Sequence, residues 1–266
     1  MPFTRRRFLT VSGTTLSAGL PIFSAHGAAL SGRQAINKSG QLRMLSQRIL
    51  KAYAQLGLGL MPKESMNVLS RSVMMANGNL VDLRGAATGD SAKATLVAVE
   101  KAWAELRDMV SVSPNKNDAT VIAKLGDDLL GEADKMTRLF ESAVGTEVAK
   151  MVSLAGRQRM LSQKVARHYF FAAWGAADKS EKLAFDKARA EFSVALETLK
   201  GFPKNSEVIQ NRLTMLGEQW GFMLAAFTPE KMGTYHPAGA RHVATASENI
   251  LELADELTLF YENLKV

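Results

Sequence analysis

Apolar residues along this chain return at steps of three and four, the spacing of one helix face. The clearest run is Leu42, Leu45, Ile49, Ala52 and Leu56, which marks a first helix with one buried stripe. Gly57, Gly59 and Pro62 stop it. A second helix is expected from about Lys63 to Arg84, ending at Gly85. A third spans about Ser91 to Ser111 and offers Val97, Val99, Trp103, Leu106 and Val110 for burial. Pro114 and the Asn115-Lys116-Asn117-Asp118 cluster turn the chain, and Asp118 is placed to cap a fourth helix running to about Ala143. Connections this short imply antiparallel neighbours, hence an up-down-up-down four-helix bundle.

The pattern then starts again. Ser39-Gly40-Gln41-Leu42-Arg43-Met44-Leu45-Ser46-Gln47-Arg48-Ile49 recurs 116 residues later as Ala155-Gly156-Arg157-Gln158-Arg159-Met160-Leu161-Ser162-Gln163-Lys164-Val165. Tyr53 and Tyr169 stay in register beyond it. Leu80-Val81-Asp82-Leu83-Arg84-Gly85 answers Leu196-Glu197-Thr198-Leu199-Lys200-Gly201, and Trp103 answers Trp220. Ala133-Asp134, Thr137 and Glu141 answer Ala254-Asp255, Thr258 and Glu262 at an offset of 121. Four ordered anchors read as internal duplication. The expected fold is all-α: two tandem up-down four-helix bundles, residues 28–144 and 145–266, side by side as a pseudo-dimer. Breaks in the second copy are expected at Gly175, Gly201-Phe202-Pro203, Pro229 and Pro237. At the junction Val144-Gly145-Thr146-Glu147, Gly can end one helix and Thr can cap the next, which predicts a hairpin. One continuous helix from Asp118 to Trp174 is the alternative.

Composition narrows the chemistry. The absence of cysteine excludes disulfides, thiol catalysis and thiolate metal sites. Thr4-Arg5-Arg6-Arg7-Phe8-Leu9 followed by a mildly apolar stretch to Ala25 reads as a signal peptide over residues 1–27, with the cut before Ala28. The Arg5-Arg6 pair suits the twin-arginine route. No later stretch approaches the ~20 apolar residues that span a bilayer, so a periplasmic protein without stable membrane insertion is expected. Losing Arg5, Arg6 and Arg7 lowers the formal charge of +7 by three and leaves no dense basic face, which argues against nucleic acid.

The repeated box carries the candidate function. Steps of three and four place Gly40, Arg43, Met44 and Gln47 on one side of the first helix, and Gly156, Arg159, Met160 and Gln163 likewise on the fifth. A glycine inside a helix costs about 1 kcal/mol against alanine, so it suggests close approach to the backbone. A guanidinium one turn on can fork two hydrogen bonds to a carboxylate or flat oxyanion. If the two helices face each other about a pseudo-twofold axis, Arg43 and Arg159 converge, and an anion between them relieves their repulsion. The plainer reading is a packing glycine and a solvated charge, which duplication alone would also repeat.

Ile36 to Leu50 resembles the box of the periplasmic domain of bacterial nitrate/nitrite sensor kinases, and Ala155 to Lys164 resembles the same box in PilJ-type domains of pilus chemotaxis transducers. The resemblance implies four-helix bundles, and a small anion such as nitrate or nitrite held by the box arginines at the interface of two such domains. Carried over, Arg43 and Arg159 are the anion clamps, Gly40 and Gly156 give backbone access, and Lys38 adds a cation. In the second copy Leu154 stands at the position of Lys38, and Arg157 replaces Gln41, so Arg157 joins the candidates and the site is asymmetric. The role implied is a sensor that binds a ligand and signals to a membrane sensor or transporter. The alternative is a protein–protein adaptor whose boxes only hold the bundles together.

Other residues point to packing. His168 lies near the core stripe, and His236 and His242 flank Pro237 without sharing a face, so neither a metal nor another cofactor is expected. Met61, Met66, Met74 and Met75 suit core filling more than a copper(I) thioether site. Tyr169, Phe170, Phe171 and Trp174 suit packing at a helix end or between bundles. No Ser-His-Asp order, phosphate loop or carboxylate pair suggests an enzyme.

Overall fold

The computed structural model describes residues 30–177, 179–227 and 235–265. The expected signal peptide, residues 1–27, and the expected break at Pro229 lie outside the described residues. Eight α-helices account for nearly all of the rest, and no strand occurs among the described residues. They are α1 (Gly32–Gly57), α2 (Pro62–Ala86), α3 (Asp90–Val110), α4 (Ala119–Val144), α5 (Glu147–Ala173), α6 (Lys179–Lys200), α7 (Glu207–Leu224) and α8 (Pro237–Glu262). No helix among the described residues is long and apolar enough to cross a membrane.

Two helices organise the rest. α1 packs against α2 and α4, α5 packs against α6 and α8, and α1 and α5 lie along each other. α3 covers α4 and α7 covers α8. The arrangement is two sets of four helices joined along their first members.

Local chemistry explains the boundaries. Ser31 caps α1 in a reciprocal box with Gln34. Gly145 adopts φ +66, and the Thr146 hydroxyl accepts from the Ala149 N–H, so the chain reverses between α4 and α5 as a hairpin. The expected break at Pro237 falls at the start of α8, where its missing N–H is harmless in the first turn. Asp118 does not cap α4. A 3-10 turn at Lys116–Asp118 precedes that helix, and the Asn115 side chain accepts from the Asn117 N–H there instead.

The buried stripe of α3 is Leu96, Val99, Trp103, Leu106 and Val110, while Val97, one step off the face, is 64% exposed. Met66, Met74 and Met75 are also exposed, so core filling does not account for them. Of the aromatic cluster, Trp174 packs between sets, edge-on to Tyr53 of α1 at 6.0 Å, while Tyr169 meets Phe227 at 5.6 Å within its own set.

α1 and α5 run parallel. Gly32 lies against Val144 just before α5 begins, Gly40 lies near Arg159, and Gly57 lies against Trp174 at the far end. Because the step from one helix to its opposite number is close to the 116-residue repeat, equivalent residues face each other. A methyl group on Gly57 would overlap the Trp174 ring, whereas one on Gly78 in α2 meets open space. Gly57→Ala is therefore expected to lose roughly 1–3 kcal/mol in urea unfolding. Gly78→Ala is expected to gain up to about 1 kcal/mol from helix propensity alone.

Candidate functional site

The joint between α1 and α5 is not an apolar zipper. Its middle is occupied by Arg43 and Arg159, 2% and 0% exposed, so neither is a solvated charge. Arg43 bonds Asp134 Oδ1 on α4 at 2.9 Å and, across the joint, the Ser153 carbonyl of α5 at 3.0 Å. Arg159 makes the equivalent set. It pairs with Asp255 on α8 and reaches across to Asn37 of α1, with Oδ1 at 2.8 Å and the carbonyl at 3.4 Å. Each guanidinium thus takes an acid from its own four helices and a backbone oxygen from the other four.

Gly40 and Gly156 make room for this. A Cβ on Gly40 would lie 3.3 Å from Arg43 Nη2 and 3.6 Å from Arg159 Nη2. On Gly156 it would lie 3.1 Å from Arg159 Nη2 and 3.6 Å from Arg43 Nη2. Both guanidiniums therefore converge on the same pair of glycines. Burial pushes the pKa of each arginine down, against the pull of Asp134 and Asp255, and repulsion from Arg157 and Arg159 adds to the effect on Arg43. Burial would raise the Asp134 carboxyl, but Arg43 and Arg138 more than offset it and hold it below its usual value. The Nε atoms of Arg43 and Arg159 are both buried without a hydrogen-bond partner.

Two of the six residues picked out from the sequence stand elsewhere. Lys38 turns to α2, where it pairs with Asp82 at 2.9 Å and bonds Asn79, so it adds no cation to the arginine pair. Arg157 pairs with Glu191 of α6 at 2.9 Å and lines an outer cleft. The reason is angular: on a helix, neither residue shares the face of the box arginine.

Two turns further along lies a second tier. Lys51 of α1 crosses to Glu248 of α8, which also receives Arg48. Arg167 of α5 crosses to Asp127 of α4 at 2.7 Å and also bonds Gln47 and Glu181. Burial works to raise the Glu248 and Glu181 carboxyls, yet their cationic neighbours bring both down to about 2. His168 is only half satisfied. Its Nδ1 meets Glu181 while Nε2 is buried without a partner, and burial pushes its pKa down. His236 serves as the N-cap of α8, and His242 Nε2 lies 3.0 Å from the Phe222 carbonyl oxygen. Among the described residues no group of three His, Asp or Glu side chains is placed to hold a metal ion.

The acids were within reach of the sequence, since Asp134 and Asp255 belong to the fourth repeated anchor, and Asp127 and Glu248 share its 121-residue offset. What the pattern lacked was the pairing of that anchor with the arginines.

Eight helices packed in two sets around buried ion pairs define the class of the fold, an all-α helical bundle. Residues 28–127 match the family model described as the type IV pili methyl-accepting chemotaxis transducer N-terminal domain, so a PilJ-type sensor domain occupies that stretch, from α1 into α4. Neither a curated protein nor a solved structure shows a significant match to the chain.

Asp134→Asn leaves Arg43 buried without its counter-charge. A loss of about 3 kcal/mol is expected in chemical unfolding, at the low end for a broken buried pair because a fifth of Asp134 remains in solvent. Acid should act in the same direction. A native His168 held below its ordinary pKa costs stability once the unfolded chain takes up a proton, starting as pH falls through about 6.5. Carboxyls held at about 2 contribute stability that is complete above their unfolded value near 4.5 and is lost as pH falls from there toward 2. Melting temperature should therefore begin to decline below about pH 6.5 and fall more steeply below about 4.5.

Proposed function

We propose that this chain is an exported sensor made of two tandem PilJ-type bundles. In this reading the Arg43–Arg159 joint takes a small oxyanion, nitrate or nitrite in type, and passes the event to a membrane partner. One observation carries it: two guanidiniums from separate helical sets converge on one pair of glycines, each keeping a buried, unpaired Nε–H. Gly40 and Gly156, placed beside both forks, leave backbone where a side chain would block entry.

An anion here acts by competition. It offers acceptor oxygens to both arginines and repels Asp134 and Asp255, which now hold those charges. Loosening either carboxylate frees α4 or α8 from the central pair. A ligand that prefers the loosened state shifts the population toward it, and its preference sets the size of the shift. The basic, apolar and small-residue order of residues 1–27 supports export, and the sensor-type family of residues 28–127 supports binding rather than catalysis.

The adaptor reading has its own support. Each arginine already has an acid and a backbone oxygen, which is enough to pin the two sets together without a ligand. A thermal-shift series separates the two. Nitrate or nitrite at a hundred times its dissociation constant is expected to add about 2.7 kcal/mol to wild-type stability. That gain should vanish in Arg43→Lys and Arg159→Lys, which keep the charge and lose the fork. A wild type indifferent to both ions, or a shift that survives both substitutions, rejects the anion reading.

A further inference from the structure

A cleft of about 400 Å³ lies between α4, α5 and α6, on the outer side of Asp134, the acid that holds Arg43. Leu130, Met160 and Leu161 line its apolar part, and Arg157, Lys164 and Glu191 stand among its polar groups. Its volume falls within the range of small-molecule pockets.

The polar groups here are not equally engaged. Asp134 is held by Arg43 and Arg138, Asp127 by Arg167 and Gln47, and Glu191 by Arg157. Lys164 is the exception. Among the described residues it makes no hydrogen bond and no ion pair, although it is half-buried. Burial lowers its pKa; Asp127, Glu191 and Glu181 attract it from beyond pairing distance and Arg167 repels it.

The other half of the molecule shows what is missing. A smaller cleft of about 270 Å³ between α1, α2 and α8 is lined by residues at equivalent positions: Gln41 for Arg157, Met44 for Met160, Arg48 for Lys164 and Glu248 for Asp127. There Glu248 serves both Arg48 and Lys51. Here the acid is aspartate, one methylene shorter, and among the described residues Arg167 is the one cation it pairs with. A second cation, Arg157, stands in this cleft where the other has a neutral glutamine. The same framework thus pairs its Arg48 with a carboxylate on one side and, among the described residues, leaves Lys164 without an ion pair on the other.

We infer that this cleft binds a small organic carboxylate, its anionic end on the Lys164 ammonium beside Arg157 and its apolar body on Leu130, Met160 and Leu161. Inorganic oxyanions lack the apolar body and are poor ligands for it. This inference needs no anion between Arg43 and Arg159, although Asp134 belongs to both places.

Calorimetric titration of the full chain with 3-methylbutanoate, benzoate and nitrate tests it. Wild type should bind at least one of the two carboxylates, and Lys164→Gln should weaken that binding at least about tenfold. Arg159→Lys, whose acid Asp255 does not line this cleft, should leave it unchanged, which keeps the result separate from the fate of the arginine joint. Ligand-free Lys164→Gln should melt at or above the wild-type temperature, because it removes an unpaired charge from a half-buried place. No carboxylate binding by wild type, binding that survives Lys164→Gln, or a lower melting temperature for that variant overturns the inference. So does nitrate binding that depends on Lys164 as strongly as carboxylate binding does.

Discussion

Everything in this structure is arranged around a cost: two guanidiniums sit in the interior, where an unpaired charge is not tolerated. Each is made acceptable by an acid on the fourth helix of its own set and an oxygen from the opposite central helix. That requirement holds α1 and α5 parallel, because only then do Ser153 and Asn37 face the arginine of the other helix. It also fixes α4 beside α1 and α8 beside α5. The second tier, Lys51 with Glu248 and Arg167 with Asp127, ties each central helix to the opposite set.

Such a joint differs from an apolar one in how it responds. Hydrophobic contact is non-directional and tolerates small slides, whereas a charged pair that loses one member leaves a large penalty behind. Few intermediate arrangements are then acceptable, which suits a two-state element. A ligand bringing its own negative charge is the kind of agent that can replace one set of partners with another. Of this joint, the match to the pilus chemotaxis transducer N-terminal model over residues 28–127 includes Arg43 and Gly40, and the two clefts show how residues at corresponding sequence positions differ in their pairing.

Much of the fold was readable from periodicity. Helix number, the hairpin at Gly145 and the close positions of α1 and α5 all follow from stripes, turn residues and repeated anchors. The burial of the central helices was not. A stripe argument assumes one buried side, but α1 is covered by α2, α4 and α5 together, so Ser39, Arg43, Ser46, Gln47 and Lys51 are interior although polar. The arginines were visible as a repeated motif, yet their acids lie 91 and 96 residues away, beyond what local spacing reveals. Lys38 looked like part of the motif because it is near in sequence; helix geometry points it at Asp82 instead. Val97 failed for a similar reason, one position off a face that Leu96 occupies.

The central claim is that Arg43 and Arg159 meet at one place and feel each other. A double-mutant cycle of Arg43→Gln and Arg159→Gln, read by urea unfolding, addresses it directly. The account predicts that the two losses fail to add by more than about 0.5 kcal/mol. Losses that add to within about 0.3 kcal/mol would mean the two side chains are independent, and would contradict it.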